Sequence, residues 1–321
     1  MEYAIDPELR AWLDLMPRVD ITDIAALRRA EEAAAAELSR YEPVIPVHHR
    51  DVPIPGPGGA PPVRARIYTP VDRADELPGL LYLHGGGFVL GSVDGFHPEA
   101  SRVAGELGAV VVSVDYRLAP EHPFPAGVAD CFAALTWAAE HAGELGIDPT
   151  RLGVGGESAG GGLAAAVALL ARDRGGPEPC FQYLGIPELD DRLDTPSMRD
   201  FVDTPLWDRR SAELSWDYYL GPGVRGGAGV SPYAAPARAA DLSGLPPACV
   251  TACQYDPLRD EGLEYARRLI QAGVPTELFH YPGTFHGSTL VTEAAVSKRM
   301  VADKMGALRR GLRAGEDEPV R

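Results

Sequence analysis

The chain has 321 residues, 45% of them hydrophobic, and its formal net charge at pH 7 is -16. This length and apolar content are sufficient for one large hydrophobic core. The negative charge would repel a nucleic-acid backbone and an anionic membrane surface, so we expect neither a nucleic-acid partner nor membrane insertion.

The first 40 residues are predicted to be helical and amphipathic. Pro7 can begin a short helix, and Asp20 or Thr22 can cap a second helix through IAALRRAEEAAAAEL. Because this region precedes every predicted strand, it must pack onto another part of the chain. It has neither a basic start nor a long apolar run, which predicts a cytoplasmic protein.

Residues 44–54 and 62–69 are rich in β-forming residues and flank the turn sequence GPGGAPP, which predicts a hairpin. Six further apolar runs follow, and helical stretches lie between most of them. Continuous apolar strands alternating with helices are typical of a mostly parallel sheet with helices on both faces. We therefore predict an α/β fold with about eight strands. The six runs are Leu80–Leu83, Ala109–Val114, Arg151–Gly155, Cys180–Ile186, Pro247–Cys253 and Thr276–Tyr281.

One interval, between Pro187 and Leu245, is too long for a simple crossover between strands. It carries several aromatic residues, which favours a helical cap over an active site, although packing on the sheet edge is the alternative. We predict cap segments at 1–45 and 188–225 and a catalytic domain at 46–187 and 226–321. The aromatic residues are Trp207, Trp216, Tyr218 and Tyr219.

The four cysteines form no C-x-x-C pair, and no histidine lies at ligand spacing from two of them. This pattern favours small core residues over a zinc site. The four are Cys131, Cys180, Cys249 and Cys253.

Ser158 is the strongest candidate for a chemical role. It lies in the sequence Gly156-Glu157-Ser158-Ala159-Gly160, where an apolar strand meets a helix. The flanking glycines allow a sharp turn that exposes the hydroxyl at the positive end of the helix. A phosphate-binding loop is disfavoured because the lysine that such a loop requires is absent.

An activated serine needs a base, and His280 and His286 are the histidines that follow it in the chain. His280 lies within a predicted strand, where we expect a buried structural histidine. His286 lies in the loop YPGTFHGS just after that strand, so we favour it as the base.

The carboxylate that orients the base is predicted to be Asp256, which directly follows the strand PACVTACQY. Asp260 is predicted to serve as a charge in the first turn of the next helix. The alternatives to Asp256 are Glu188, Asp190 and Asp191, because they also follow a strand end.

The sequence LLYLHGGGF at residues 80–88 predicts a loop that binds a developing oxyanion through backbone N–H groups. Gly85, Gly86 and Gly87 supply this loop, and Ala159 supplies a further donor. His84 is expected to anchor the loop by hydrogen bonds rather than to react.

With these motifs in place, the chain resembles the bacterial hormone-sensitive lipase-like family of α/β-hydrolase carboxylesterases. The matching segments lie in family order between residues 80 and 290. They are HGGGF at 84–88, DYRLAPEHPFPA at 115–126, GESAGGG at 156–162, YDPLRDEG at 255–262 and HG at 286–287.

The resemblance implies a catalytic triad of Ser158, Asp256 and His286, with Gly86, Gly87 and Ala159 as oxyanion donors. It also implies an acyl-enzyme mechanism on short-chain esters, cis prolines in LAPEHPFPA and a homodimer through the last strand of the sheet. The family more often has Asp or Thr where this chain has Glu157, which we expect to alter local hydrogen bonding or the pH optimum.

We therefore predict a serine carboxylesterase that acts on a small-molecule ester and requires no metal or organic cofactor. Phe88 and Trp207 are the candidate walls of an enclosed substrate pocket. Hydrolysis of amides or lactones by the same triad is the nearest alternative. A non-catalytic binding protein on this fold is disfavoured, because such proteins lack the working histidine that His286 supplies.

Overall fold

The computed structural model describes residues 3–15, 21–38, 40–71 and 76–313. Eight strands in this part of the chain form one sheet in the spatial order β1-β2-β4-β3-β5-β6-β7-β8. The first two neighbouring pairs in that order are antiparallel, and the other five are parallel. The strands are β1 (Val47–Ile54), β2 (Val63–Pro70), β3 (Leu77–Leu83), β4 (Val110–Val114), β5 (Ile147–Glu157), β6 (Gln182–Gly185), β7 (Ala248–Tyr255) and β8 (Thr276–Phe285).

Ten α-helices are present in the described part of the chain, and the longer ones cover both faces of the sheet. They are α1 (Pro7–Arg10), α2 (Ile24–Leu38), α3 (His97–Leu107), α4 (Ala126–Glu140), α5 (Ala142–Leu145), α6 (Ala159–Arg174), α7 (Pro196–Asp200), α8 (Arg209–Leu220), α9 (Arg259–Gln271) and α10 (Ala295–Gly311). No helix in the described ranges is both long and apolar enough to cross a membrane.

Strand β3 shows how the sheet is covered on both faces. Leu80 and Tyr82 pack in a cluster with α3 and α10, whereas Leu81 and Leu83 pack in the larger core with α4 and α6. Because successive side chains of a strand point to opposite faces, only a continuously apolar strand can serve both clusters. The predicted α/β fold with a mostly parallel eight-stranded sheet is confirmed.

The N-terminal helices follow the sequence prediction closely. Helix α1 begins at Pro7, and Asp6 caps it by accepting a hydrogen bond from the Glu8 N–H group at 2.9 Å. Helix α2 covers the predicted segment, and Asp23 accepts from the Ala26 N–H group at 2.9 Å. Asp23 thus supplies a cap that the sequence prediction had not named, and Asp20 lies outside the described residues.

Helices α2 and α8 both contact the loop that follows β3. Arg28 of α2 donates to the carbonyl oxygens of Val89 and Ala119 at 2.9 and 2.7 Å. From α8, the Tyr219 ring stacks on Phe88 with 4.0 Å between centroids. These contacts bring the N-terminal segment and the 188–225 insertion to the carboxyl end of the sheet.

The structure also tests smaller predictions. All four cysteines are free; three are buried and Cys180 is half-buried. The peptide bonds before Pro120 and Pro125 are cis, as the family resemblance implies. His280, in contrast, is exposed rather than buried, because β8 is the edge strand of the sheet.

Candidate active site

Ser158 occupies the sharp turn between β5 and α6. Its φ and ψ of 58° and −124° are costly for a residue with a side chain, and such strain persists only where the surroundings enforce it. Gly156 and Gly160 are required here, because a Cβ on either would lie 2.3 or 2.1 Å from the Leu83 carbonyl oxygen. The turn therefore holds the Ser158 side chain in one orientation, with the residue 8% exposed.

His286 and Asp256 meet Ser158 from the ends of two adjacent strands. His286 follows β8, and its Nε2 lies 2.9 Å from Ser158 Oγ. Asp256 follows β7, and its Oδ2 lies 2.7 Å from His286 Nδ1. The other carboxylate oxygen, Oδ1, accepts from the Leu258 N–H group at 2.8 Å and so fixes the carboxylate. These three predicted residues form one continuous hydrogen-bonded chain.

The alternative residues weighed from the sequence have other partners and make no hydrogen bond to His286. Asp190 pairs with Arg192, and Asp191 pairs with Arg238. Glu188 is bonded to Ser215, and Asp260 accepts from the Ser197 N–H group in α7. Asp260 therefore ties α7 to α9 in addition to occupying the first turn of α9.

The predicted glycine loop lies directly against the serine turn. Gly86 and Gly87 have φ values of 119° and 57°, which favour glycine. A Cβ on Gly87 would lie 2.6 Å from Trp207 Cη2, so a larger residue is excluded there. Within the described ranges, the N–H groups of Gly86, Gly87 and Ala159 donate to no other residue.

His84 holds the base of this loop, as the sequence analysis expected. Its Nδ1 lies 2.8 Å from the Gly85 carbonyl oxygen, and its ring stacks on Tyr116 with 4.2 Å between centroids. The Tyr116 hydroxyl donates in turn to the His84 carbonyl oxygen at 2.8 Å. Burial lowers the pKa of His84, so the ring is neutral and serves as a packed anchor.

The two predicted pocket residues lie at different depths. Trp207 is next to the catalytic histidine candidate, with 5.9 Å between its ring centroid and that of His286. Phe88 is only 2% exposed and is packed against Trp216 and Tyr219 of α8. Trp207 is thus in position to border a ligand, whereas Phe88 supports the loop from behind.

Glu157 has a partner that the sequence does not reveal, Lys304 of α10. Lys304 Nζ lies 2.7 Å from Glu157 Oε1 and also pairs with Glu99 of α3 at 2.5 Å. Burial opposes the charge of Lys304, but the attraction of Glu157 and Glu99 raises its pKa well above the ordinary value. No motif signals this pair, because its partners come from distant parts of the chain.

Glu188 lies on the other side of the serine turn, and its N–H group donates to the Ser158 carbonyl oxygen at 3.1 Å. Its side chain is fully buried and contacts the Ser215 hydroxyl of α8 at 2.9 Å. Burial raises the pKa of Glu188 to about 8; the Ser215 hydrogen bond opposes this effect, and the negative charge of Asp256 adds to it.

A cavity of about 860 Å³ opens beside the serine turn. Its walls include Glu157 and Gly287, the chain neighbours of Ser158 and His286. The remaining wall is mixed. It includes the rings of Tyr82, Tyr183 and Tyr281 and the charged side chains of Glu99, Arg102 and Lys304. The volume lies within the range of pockets that hold drug-sized ligands. Among the described residues, no group of three or more His, Cys, Asp or Glu side chains could hold a metal ion.

Comparisons with known proteins agree with this geometry. The pattern of the alpha/beta hydrolase fold family matches residues 80–290, which is more than half of the chain. Carboxylesterase NlhH of Mycobacterium tuberculosis is 41% identical over 319 residues, covering 97% of both chains. Esterase LipI of the same organism is 41% identical over 292 residues, covering 88% of both chains.

A solved structure titled "Bacterial Heroin Esterase" is also similar to the chain. It has a TM-score of 0.93 and 52% sequence identity, covering 96% of this chain and 98% of the other. Similarity in sequence and fold over nearly the whole length agrees with the predicted enzyme class. The chain belongs to the alpha/beta hydrolase fold family and is a carboxylesterase of its hormone-sensitive lipase-like group.

Proposed function

We propose that this carboxylesterase hydrolyses short-chain carboxylic esters through an acyl-enzyme intermediate. Ser158 is the nucleophile, His286 the general base and acid, and Asp256 the orienting carboxylate. The observation that carries this assignment is the hydrogen-bonded chain from Asp256 through His286 to Ser158, with steps of 2.7 and 2.9 Å. A serine hydroxyl becomes a strong nucleophile when an adjacent base takes its proton.

In the first half-reaction, Ser158 Oγ attacks the ester carbonyl carbon while His286 Nε2 takes the hydroxyl proton. That proton then passes to the departing alcohol, and the acyl group stays on Ser158. In the second half-reaction, a water attacks the acyl carbon and gives its proton to His286, which returns it to Ser158 as the acid leaves. Asp256 holds the imidazole and stabilises the imidazolium in both halves.

The negative charge that develops on the carbonyl oxygen is assigned to the N–H groups of Gly86, Gly87 and Ala159. Support comes from the positive φ values of the two glycines and from the absence of any other described acceptor for these three donors. Ala159 is also the first residue of α6, where the helix dipole favours negative charge.

A cap over the site is part of the proposal, with residues 1–45 and 188–225 as its two segments. The catalytic domain then comprises 46–187 and 226–321. The contacts of Arg28 and Tyr219 with the loop after β3 support this division. Trp207 limits the space above Gly87, which favours a small acyl group, and Phe88 supports the loop from behind.

We infer that the 860 Å³ cavity, which borders Glu157 and Gly287 beside Ser158 and His286, takes a bulky group from one side of the ester bond. A short acyl group on a large, aromatic alcohol fits both features. The structural neighbour named for heroin points to the same kind of substrate. A series of p-nitrophenyl esters should therefore peak at short acyl chains; a peak at long chains would refute the proposed preference.

The triad is tested by Ser158→Ala, which should abolish hydrolysis of p-nitrophenyl acetate and butyrate. A fluorophosphonate should label the wild type at Ser158 and should not label the variant. Full activity in Ser158→Ala would overturn the assignment. Faster turnover of an amide or a lactone than of the matched ester would shift the proposal to those substrates.

We also propose a cytoplasmic location and a homodimer formed through β8. Four free thiols suit a reducing compartment, and the exposed edge strand β8 offers unpaired backbone groups for a second copy. Leu278 of β8 is 41% exposed, so Leu278→Arg should convert the dimer to a monomer in light scattering. A wild type that is already a monomer would refute this proposal.

A further inference from the structure

The Ser215 hydroxyl contacts two buried oxygens at the same time. Its Oγ lies 2.9 Å from Glu188 Oε1 and 3.1 Å from the carbonyl oxygen of Gly87. The Ser215 and Glu188 side chains are fully buried, so water does not compete for these contacts. Ser215 therefore links three segments: the glycine loop after β3, helix α8, and Glu188 in the segment after β6.

A serine hydroxyl carries a single proton and can donate it to only one of these two acceptors. The conflict disappears if the Glu188 carboxyl is protonated. Glu188 then donates to Ser215 Oγ, and Ser215 donates to the Gly87 carbonyl oxygen. If Glu188 ionises, its carboxylate competes with Gly87 for the Ser215 proton, and a charged acceptor is the stronger competitor.

Among the described residues, the groups that interact with Glu188 are acids and hydroxyls, with no compensating cation. Asp256 at the end of β7 and Glu261 of α9 interact with it electrostatically, as do the hydroxyls of Tyr219 in α8 and Tyr116 after β4. No ion pair joins Glu188 to a described lysine or arginine, and its Oε2 has no hydrogen-bond partner in the same part of the chain. This environment disfavours the ionised form.

We propose that Glu188 is a positioning residue for the oxyanion hole. Its neutral carboxyl acts through Ser215 to hold Gly87 in the geometry that binds the oxyanion. When Glu188 loses its proton to solvent, the Gly87 carbonyl loses its donor and the loop is released. The inference rests on the proposed role of Gly87, and it adds a reason for activity to fall at alkaline pH.

The pH dependence of kcat is the first test, with p-nitrophenyl butyrate as substrate and the spontaneous rate subtracted. Loss of one oxyanion donor costs about 10²–10³ in kcat, so we expect wild-type kcat to fall by up to about 10²-fold as Glu188 ionises near pH 8. Glu188→Gln keeps a neutral donor of the same shape and should remove this fall. KM should change little in either protein.

Glu261→Gln is the matched control, since Glu261 is also a buried acid with a raised pKa. Its Oε1 accepts from the N–H groups of Leu189 and Asp190 and does not contact the glycine loop. This variant should keep the alkaline fall in kcat. Ser215→Ala should lower kcat about tenfold at neutral pH, since it removes a buried hydrogen bond, and should also lack the fall.

Infrared difference spectra give a test that does not depend on turnover. A protonated-carboxyl C=O band should disappear on raising the pH of Glu261→Gln and should be absent from the double variant Glu188→Gln/Glu261→Gln, which removes both buried acids. An unchanged alkaline fall in Glu188→Gln, or no such band, would overturn the inference. Fluorophosphonate labelling distinguishes this outcome from an error in the triad assignment. If only the Glu188 inference is wrong, the reagent still labels Ser158.

Discussion

Two glutamates lie beside Ser158; one is charged and the other is neutral. Glu157 precedes the serine in the chain and forms an ion pair with Lys304 at 2.7 Å. Glu188 reaches the serine through space, with its N–H group on the Ser158 carbonyl oxygen, and has no cationic partner among the described residues. Both glutamates are close to the nucleophile, so closeness does not determine whether they are charged. Their charge depends on partners from distant segments of the chain.

The two sides of the serine turn differ in composition. On the side of Glu157, Lys304 and Arg102 balance the charges of Glu157 and Glu99. Lys304 also lies over the rings of Tyr82 and Tyr183 at 5.4 and 5.5 Å, which further stabilises the buried cation. On the side of Glu188 the neighbours are acids and hydroxyls, so neutrality is reached by holding a proton.

The largest effect should come from Asp256→Asn, since Asp256 is the carboxylate that must stay charged beside His286. An amide at this place favours the wrong imidazole tautomer and stabilises the imidazolium less well. We expect kcat to fall about 10³–10⁴-fold with the fold retained, as seen in triads of this type. Steady-state kinetics and circular dichroism would measure both quantities. An equal loss in Glu157→Gln would contradict the separate roles assigned to these carboxylates.

Lys304→Met should have the next largest effect, on stability. The substitution leaves Glu157 without its cation and Glu99 with only Arg102, in a site where Lys304 is 3% exposed. Breaking a buried ion pair costs about 3–5 kcal/mol because the remaining charge is uncompensated. Urea denaturation would measure the loss in the free energy of unfolding.

The double variant Lys304→Met/Glu157→Gln isolates the charge from the shape of the side chain. Because it removes the charge that Lys304 compensates, it should recover part of the stability lost in the single variant. Its kcat at neutral pH should also exceed that of Lys304→Met, since an uncompensated carboxylate beside Ser158 opposes the oxyanion. A double variant as unstable and as slow as the single one would show that Lys304 acts only by packing.

Glu188 should make the free energy of unfolding depend on pH. Burial raises its pKa from the ordinary 4.5 to about 8, so the folded protein holds a proton that the unfolded chain has lost. The resulting stability is fully present below pH 4.5 and is lost as the pH rises to about 8. Each pKa unit is worth about 1.4 kcal/mol, and local relaxation on ionisation reduces the total to a few kcal/mol.

The free energy of unfolding of wild type minus that of Glu188→Gln, measured across this pH interval, checks the prediction. The difference should decrease steadily with rising pH and level off above it. Burial also raises the pKa of Glu261, but both proteins keep that residue, so its contribution cancels in the difference. A flat difference for Glu188→Gln would show that this carboxyl is ionised in the folded protein.

The sequence predicted the site well where local chemistry determines geometry. Gly156 and Gly160 mark the turn that presents Ser158, because no other residue fits against the Leu83 carbonyl. The placement of His286 and Asp256 after two apolar runs predicted that they would meet, since parallel strands bring their carboxyl ends to one edge. Local patterns of this kind are readable without a structure.

The remaining features depend on contacts between distant segments. The Glu157–Lys304 pair spans 147 positions, and the Ser215–Gly87 bond spans 128. No spacing rule predicts such pairs, and an acid in a motif looks the same whether it becomes charged or neutral. His280 illustrates the same limit, because its exposure follows from the position of β8 at the sheet edge.

The smallest effect should come from Arg310→Met, a charge removal on the same helix as Lys304. Arg310 Nε lies 2.9 Å from Glu277 Oε1, but the two side chains are 58% and 39% exposed. Solvent screens such a pair, so its loss should cost no more than about 0.5 kcal/mol in urea denaturation. Wild-type kcat should be retained. Suppose that Arg310→Met lowered the free energy of unfolding as much as Lys304→Met. Burial would then not explain the importance of the Glu157–Lys304 pair, and the contrast between the two sides of Ser158 would be wrong.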